Sequence, residues 1–146
     1  VIIGKRGTNI AEEDAMKYVY GYTIINDVTA RDLQKKHLQW FRGKSLDTFC
    51  PMGPTVMVGD WPLPFTIYTK VNGSLRQEGT TTDLIFSIPK LIATLSDGMT
   101  LLPGDVIATG TPQGVGMGFN PPKFLKKGDV VEINIDPIGT LRNPVK

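Results

Sequence analysis

The sequence predicts an α+β protein built mainly of β-structure, with roughly seven to nine strands and two or three short helices. Three observations carry that reading. Short β-branched and aromatic runs recur between clusters of glycine, proline and asparagine. Asn72-Gly73 stands between two such runs, the signal of a two-residue hairpin. Ile88 to Leu95 carries the punctuation of a helix, with Ser87 as N-cap, Pro89 in the first turn and Gly98 near the end.

Taken in order, Val1 to Ile3 reads as a strand ending at Gly4, and Lys5 to Asn9 as a polar turn. Ala11 to Val19 opens with Glu12, Glu13 and Asp14, acids that favour a helix N-terminus, and Gly21 is its expected stop. Tyr22 to Ile25 suits a buried strand. Asn26 and Asp27 end that strand, and Thr29 is placed to cap the short helix-like run holding Arg31, Asp32 and Gln34. Lys35 to Gly43 reads as a basic, aromatic connection. Pro51, Gly53 and Pro54 argue against a regular element over Phe49 to Pro54, and Thr55 to Val58 reads as a short strand. Phe65 to Val71 alternates, turns at Asn72-Gly73 and returns over Ser74 to Glu78. Two Gly-Asp-Val entries follow: Gly104-Asp105 leads into a strand over Val106 to Ala108, and Gly128-Asp129 into one over Val130 to Ile135. They are an echo, since nothing around them recurs at a fixed period. Leu141 to Val145 is expected to pair back on the last strand.

The chain has 146 residues, which makes a single domain over 1–146 the expectation and allows a sizeable core. It is 40% hydrophobic and 21% charged, with a net charge of +2, so no electrostatic argument for nucleic acid or a membrane surface follows. No apolar run reaches transmembrane length. One cysteine, Cys50, cannot form an internal disulfide, and with the single histidine, His37, it cannot close a structural zinc site. A reducing compartment, the cytoplasm or the mitochondrial matrix, is the expectation. The start at Val1-Ile-Ile-Gly, without Met, reads as a strand entered midway. An upstream segment is therefore expected, and any targeting signal would lie there.

Four motifs fail on their own terms. Arg42-Gly43-Lys44-Ser45 resembles the end of a phosphate-binding loop, but that loop needs a glycine where Leu38 stands. Gly114-Val-Gly116-Met-Gly118 runs into Asn120-Pro121-Pro122 and not into a helix, so it is no dinucleotide fingerprint. Asn72-Gly73-Ser74 fits a glycosylation sequon, but the hairpin explains it. His37, among Lys35 and Lys36, reads as a solvated side chain.

Three polar clusters remain, each bordering an expected strand: Asp27 to Gln34, Lys44 to Thr48, and the loop Thr109 to Gly116. A carboxylate at a strand end with a cation and an amide close by suggests a site for an anionic ligand or a metal. It equally suits an ion pair tying a turn together. The glycines of the third cluster let backbone amides approach a ligand closely, but taken alone the loop reads first as a turn connection that needs glycine for its geometry.

Together these clusters are more specific. Asn26-Asp27-Val-Thr-Ala-Arg31-Asp32-Leu-Gln34, Gly43-Lys44-Ser-Leu-Asp47-Thr48-Phe, Val71-Asn72-Gly73, Arg76-Gln77-Glu78-Gly79, Ile85-Phe86-Ser87-Ile-Pro89-Lys90-Leu91-Ile92 and Pro103-Gly104-Asp105-Val-Ile-Ala-Thr109-Gly110-Thr111-Pro112 resemble, in order and spacing, the fumarylacetoacetate hydrolase family. The branch resembled is that of short acylpyruvate hydrolases, oxaloacetate decarboxylases or tautomerases, and hydroxyheptadienedioate isomerases. The resemblance implies a mixed β-sandwich or roll, a homodimer, and a divalent cation, magnesium, manganese or calcium, held by carboxylates. It makes Asp27 a metal ligand with Thr48 nearby, Lys44 the catalytic lysine beside the metal and its water, and Arg31, Gln34, Gly110 and Thr111 substrate-binding residues. The family's remaining carboxylates, a Glu-x-Glu pair, and its His-Glu lid lie upstream of the strand at which this sequence begins. Leu46 replaces a frequent phenylalanine. The chemistry implied is that of a 2-oxo acid or acylpyruvate passing through a metal-bound enolate, toward C–C hydrolysis, decarboxylation or keto-enol isomerisation. The alternative is a non-catalytic subunit or binding protein of the same fold with an incomplete metal site.

Overall fold

Why strands dominate is visible in how the β-branched runs pair. In the computed structural model, which describes residues 1–146 apart from Asp60 and Pro62, the strands are β1 (Ile2–Ile3), β2 (Gly7–Thr8), β3 (Val19–Ile25), β4 (Met52–Val58), β5 (Thr66–Val71), β6 (Ser74–Thr80), β7 (Thr100–Leu101), β8 (Val130–Ile135) and β9 (Gly139–Pro144). The helices are α1 (Arg31–His37), α2 (Phe41–Lys44) and α3 (Ile88–Ser96), with 3-10 turns at Glu12–Tyr18, Thr81–Asp83 and Gly116–Gly118. The sheets run β1-β3-β4, β2-β7 and β6-β5-β8-β9, and every pairing among the described residues is antiparallel. The α+β, mainly β class is as the sequence predicts.

One hydrophobic core joins the two larger sheets. Tyr22 and Ile24 of β3 and Met57 of β4 meet Val131 and Ile133 of β8 and Leu141 of β9. Tyr22 and Phe65 make an edge-to-face contact at 5.4 Å between ring centroids. Alternation decides which side chains enter. Val131 and Ile133 are buried, and Thr140 and Arg142 flank the buried Leu141 on the exposed side of β9. The helical layer is fastened separately. The buried Ser96 hydroxyl, at the end of α3, accepts from the Ile10 N–H at 2.9 Å and donates to the Ala93 carbonyl at 3.1 Å.

Local signals held where they were strong. Asn72 (φ 52°) and Gly73 (φ 77°) are both left-handed, as a type I′ hairpin requires, and Val71 pairs with Ser74 across the turn. The Ser87 side chain caps α3 by accepting from the Lys90 N–H at 3.3 Å. Strand β9 pairs back on β8 from Gly139 to Pro144.

Elsewhere tertiary contacts overrode the local reading. The segment 12–18 is a 3-10 helix that passes directly into β3 at Val19, so Gly21 is not a helix stop. Gly21 lies inside β3, where a Cβ would sit 2.2 Å from the Met57 carbonyl oxygen. Its role is close approach of two strands. Strand β4 begins at Met52 and includes Gly53 and Pro54, against the expectation of irregular chain there. It is an edge strand with a register irregularity, the setting in which a sheet tolerates proline. Val106 to Ala108 forms one isolated bridge, Ile2 with Val106, and no strand. The stretch 35–43 holds the end of α1 and the start of α2, and the turn 5–9 contains β2, paired with β7. Thr29 does not cap α1. The N-cap is Ala30, without a side-chain bond.

The two Gly-Asp-Val entries prove to be one conformation used twice. Gly104 and Gly128 both have φ 93°. The Asp105 carboxylate accepts from the Leu102 N–H at 2.7 Å, and that of Asp129 from the Lys126 N–H at 2.8 Å. Each Gly-Asp pair then brackets one residue of a neighbouring segment. Gly104 N–H donates to Ile3 and Asp105 accepts from it, and Gly128 and Asp129 do the same with Val145, all at 2.8 Å. The echo is therefore structural although no sequence period exists.

Asp129 also accepts from the Asn72 side-chain amide at 2.8 Å, while the Asn72 oxygen accepts from the Val130 N–H at 2.8 Å. The Asn72 bond first, then the Lys126 N–H, holds the Asp129 carboxyl below its ordinary value of 3.8. A carboxyl lowered in the folded state stabilises the fold above its unfolded pKa, and that contribution is lost as pH falls through the folded value. Asp129→Asn should therefore lose less thermal stability than the parent on acidification from neutral pH to below 3.8. Parallel melting curves across that range test it, and an identical acid loss in both proteins refutes it.

Candidate active site

The end of β3 and the start of the helical segment fold back on one another because of a glycine. The Ala30 N–H donates to the Gly43 carbonyl at 2.8 Å, and a Cβ on the buried Gly43 would lie 2.9 Å from the Gln34 nitrogen and 3.0 Å from the Ala30 oxygen. Only a residue without a side chain lets α2 rest on the first turn of α1. The next residue, Lys44, is thereby returned to Asp27, seventeen positions earlier.

Lys44 Nζ and the Asp27 carboxylate form an ion pair, and Lys44 also donates to Thr29 Oγ1 at 3.2 Å. The Thr29 hydroxyl in turn donates to the Asp27 carbonyl at 3.1 Å. The side chains of Lys44 and Asp27 are 28% and 43% exposed, so both remain open to a ligand. On α1, Arg31 Nη1 donates to Gln34 Oε1 at 2.9 Å, and Gln34 is buried. That bond occupies the Gln34 oxygen and directs its NH2 as the donating end.

Thr48 lies in the turn after α2. It is exposed and has φ 70°, a left-handed conformation uncommon for a β-branched residue. It makes none of the hydrogen bonds of the Asp27 cluster.

The glycine loop is laid across β6. A Cβ on Gly114, which has φ 103°, would meet the Arg76 carbonyl at 2.0 Å, and one on Gly79 would meet Pro112 at 2.9 Å. Gln77 Nε2 donates to Thr111 Oγ1 at 2.9 Å and to the Pro112 carbonyl at 2.8 Å. Beside this grip lies an open groove of about 380 Å³, lined by Arg76, Gln77, Glu78, Gln113, Gly114 and Phe119 among others. Gly110, with φ 123° and open space at its Cβ position, leaves the backbone before Thr111 uncovered.

The structure thus joins Asp27 with Lys44, and Arg31 with Gln34. Thr111 is bonded to Gln77 and not to a member of the Asp27 cluster. Thr29 and Gln77 were not singled out as site residues. Gln77 lies in the Arg76-Gln77-Glu78-Gly79 stretch, and the signal that marks it is its partner 34 positions away, which no local pattern reveals.

A hard divalent cation takes six or more oxygens. Among the described residues no group of three or more carboxylate, histidine or cysteine side chains gathers in one place. Asp27 offers one carboxylate, already paired with Lys44. These residues by themselves do not fit a complete cation site.

Residues 1–146 match the fumarylacetoacetate (FAA) hydrolase C-terminal family along their whole length. The chain is 62% identical over 148 residues to oxaloacetate tautomerase YisK of Bacillus subtilis, covering 99% of this chain and 49% of that protein. Its fold superposes with a TM-score of 0.96 on fumarylacetoacetate hydrolase EaFAH from Exiguobacterium antarcticum, at 52% identity, covering 99% of this chain and 53% of the other. A 2-hydroxyhepta-2,4-diene-1,7-dioate isomerase from Mycobacterium marinum matches with a TM-score of 0.89 at 44% identity, covering 99% and 54%. The chain spans about half the length of the curated relatives it matches.

Proposed function

Because the chain belongs to the fumarylacetoacetate hydrolase family, we propose that it supplies the Asp27–Lys44 half of an active site for a 2-oxo acid, with keto-enol isomerisation of an oxaloacetate-like substrate as its reaction. The observation that carries this is the convergence of the Lys44 ammonium, the Asp27 carboxylate and the Thr29 hydroxyl at the mouth of β3. The similarity to an oxaloacetate tautomerase supports isomerisation among the family's reactions.

Isomerisation transfers a proton from C3 to solvent water and places negative charge on the 2-oxo oxygen, which then takes a proton back from water to give the enol. An ammonium held in place, as Lys44 is by Asp27 and Thr29, stabilises that oxygen without having to reorganise. Arg31 and Gln34, locked to each other, present N–H donors in a fixed direction and suit the carboxylate end of the substrate. Thr111, with the uncovered backbone at Gly110, suits a second carboxylate. In this reading Asp27 also contributes one ligand to a divalent cation, magnesium or manganese, whose other oxygens come from outside the described residues. Such a cation would supply Lewis-acid stabilisation of the same charge. The assembly is a homodimer in this reading, with no nucleic acid or membrane as partner. No helix among the described residues is long and apolar enough to cross a membrane.

The experiment is a keto-enol assay on oxaloacetate with the full-length protein, with and without magnesium, beside Lys44→Ala. Loss of one preorganised donor of this type costs roughly 10² to 10³ in rate. We expect that loss in kcat for Lys44→Ala with the thermal transition little changed, because a half-exposed ion pair contributes only about 0–1 kcal/mol. A wild-type protein inactive on oxaloacetate, or a Lys44→Ala loss explained wholly by unfolding, refutes the reading.

A further inference from the structure

The side chain of Gln77 makes a choice that the Thr111 hydroxyl cannot make alone. The Pro112 carbonyl only accepts, so the group facing it at 2.8 Å is the Gln77 NH2. The same nitrogen lies 2.9 Å from Thr111 Oγ1. Thr111 must therefore accept at that contact, and its own proton is turned away from Gln77, out of the loop. A threonine hydroxyl left to itself rotates and serves as donor or acceptor. Here its role is set.

The support beneath it is a paired strand in close contact with the loop. Gln77 is half-buried and sits on β6 opposite Thr69 of β5, which is itself buried. On either side of Gln77, Arg76 and Gly79 bear directly on Gly114 and Pro112 of the loop, with no room for a Cβ at either glycine. The loop is thus laid closely on β6 on both sides of the Gln77 amide.

We propose that Gln77 is a positioning residue that fixes Thr111 as a hydrogen-bond donor toward an anionic oxygen of the ligand, and so sets the preference for a carboxylate at that end of the site. The inference rests on the reading of Thr111 as a substrate-binding residue. It assigns Gln77 no contact with the ligand.

The test is calorimetric titration of the full-length protein with oxalate in the presence of magnesium, using Gln77→Glu, Gln77→Met and Thr111→Val. In Gln77→Glu the carboxylate takes the Thr111 proton and reverses the hydroxyl. A lost hydrogen bond to a charged group corresponds to roughly 10- to 100-fold in affinity, the loss expected for this variant. Gln77→Met removes both bonds to the loop but leaves the hydroxyl free to rotate. It should weaken oxalate less than Gln77→Glu does, although it forfeits the same grip. In the Thr111→Val background, Gln77→Glu should add little, which separates hydroxyl reversal from simple charge repulsion. Equal losses in Gln77→Met and Gln77→Glu would show a mere clamp and overturn the proposal. So would a full additional loss in the Thr111→Val background. Wild-type affinity in Gln77→Glu overturns this inference alone, whereas a wild-type protein that binds no oxalate overturns the functional reading and this inference with it. A neutron map of the wild-type protein decides the point without any variant. The deuteron of Thr111 should point away from Gln77, and a deuteron directed at Gln77 refutes the assignment.

Discussion

On the proposed function, Asp27→Ala is expected to abolish oxaloacetate turnover in the full-length protein while its thermal transition stays within roughly 2 °C of the parent. The two halves of this expectation have separate causes. Asp27 is exposed at the end of β3, and its carboxylate is bonded to the Lys44 ammonium. A pair this open to solvent contributes little to stability. The turn is held by main-chain groups that survive the substitution: the Asp27 carbonyl accepting from Thr29, and the Val28 N–H donating to Asn26 at 2.8 Å. Function depends on the carboxylate itself. Without it Lys44 keeps only the Thr29 hydroxyl of its two partners at the mouth of β3, and the proposed cation loses the Asp27 carboxylate. Asp27→Asn, which keeps the shape and removes the charge, should lose at least 10² in rate, within the range for a preorganised electrostatic group. The measurement is the rate of enol decay, read beside a magnesium titration. Parental turnover in Asp27→Ala, or its loss only together with unfolding, would sink the assignment.

Gly21→Ala is expected to have the largest effect on stability. The added Cβ falls 2.2 Å from the Met57 carbonyl oxygen and 3.1 Å from the Val58 Cα. Both are main-chain atoms of the paired strand, so no side chain can swing aside. β3 and β4 must separate, which disturbs the pairing of Gly21 with Val58 and Tyr22 with Met57, and with it the core position of Tyr22 against Phe65. Overpacking of a rigid site costs about 1–3 kcal/mol and occasionally more. For a chain of this size we expect a melting temperature lower by roughly 5–15 °C. Gly73→Ala is the control. Gly73 is left-handed, which Gly21 is not, but open space surrounds its Cβ position, so its cost is only that of backbone strain at a hairpin tip. A Gly21→Ala protein as stable as the parent would show that β3 and β4 lie farther apart than described.

The same contrast explains how much was legible beforehand. The hairpin at Asn72-Gly73, the Ser87 cap of α3 and the β8–β9 return rest on residues within a few positions of each other, where steric preference and side-chain capping act without help from the rest of the chain. Asp27, Arg31 and Gln34 were legible as one polar cluster, Lys44 as part of another, and all four by resemblance to a family, to which the chain does belong. The misreadings share one cause. Gly21 looks like a helix stop because its closest contact, Met57, is remote in sequence. Pro54 looks like a break because nothing local says that β4 is an edge strand. Val106 to Ala108 looks like a strand but makes only an isolated bridge with Ile2, with Ile107 bonded to Val1 beside it, and no ladder.

By itself, then, the sequence determined the Asn72-Gly73 hairpin, the Ser87 cap and the chemical kinds of the polar clusters. Tertiary structure alone decided that Gly43 returns Lys44 to Asp27, and that Gln77 turns the Thr111 proton outward. Propensity acts over a few residues. A hydrogen bond or a strand contact between positions 34 or 36 residues apart exists only once the chain has closed, and the direction of a hydroxyl is set by whichever group arrives opposite it.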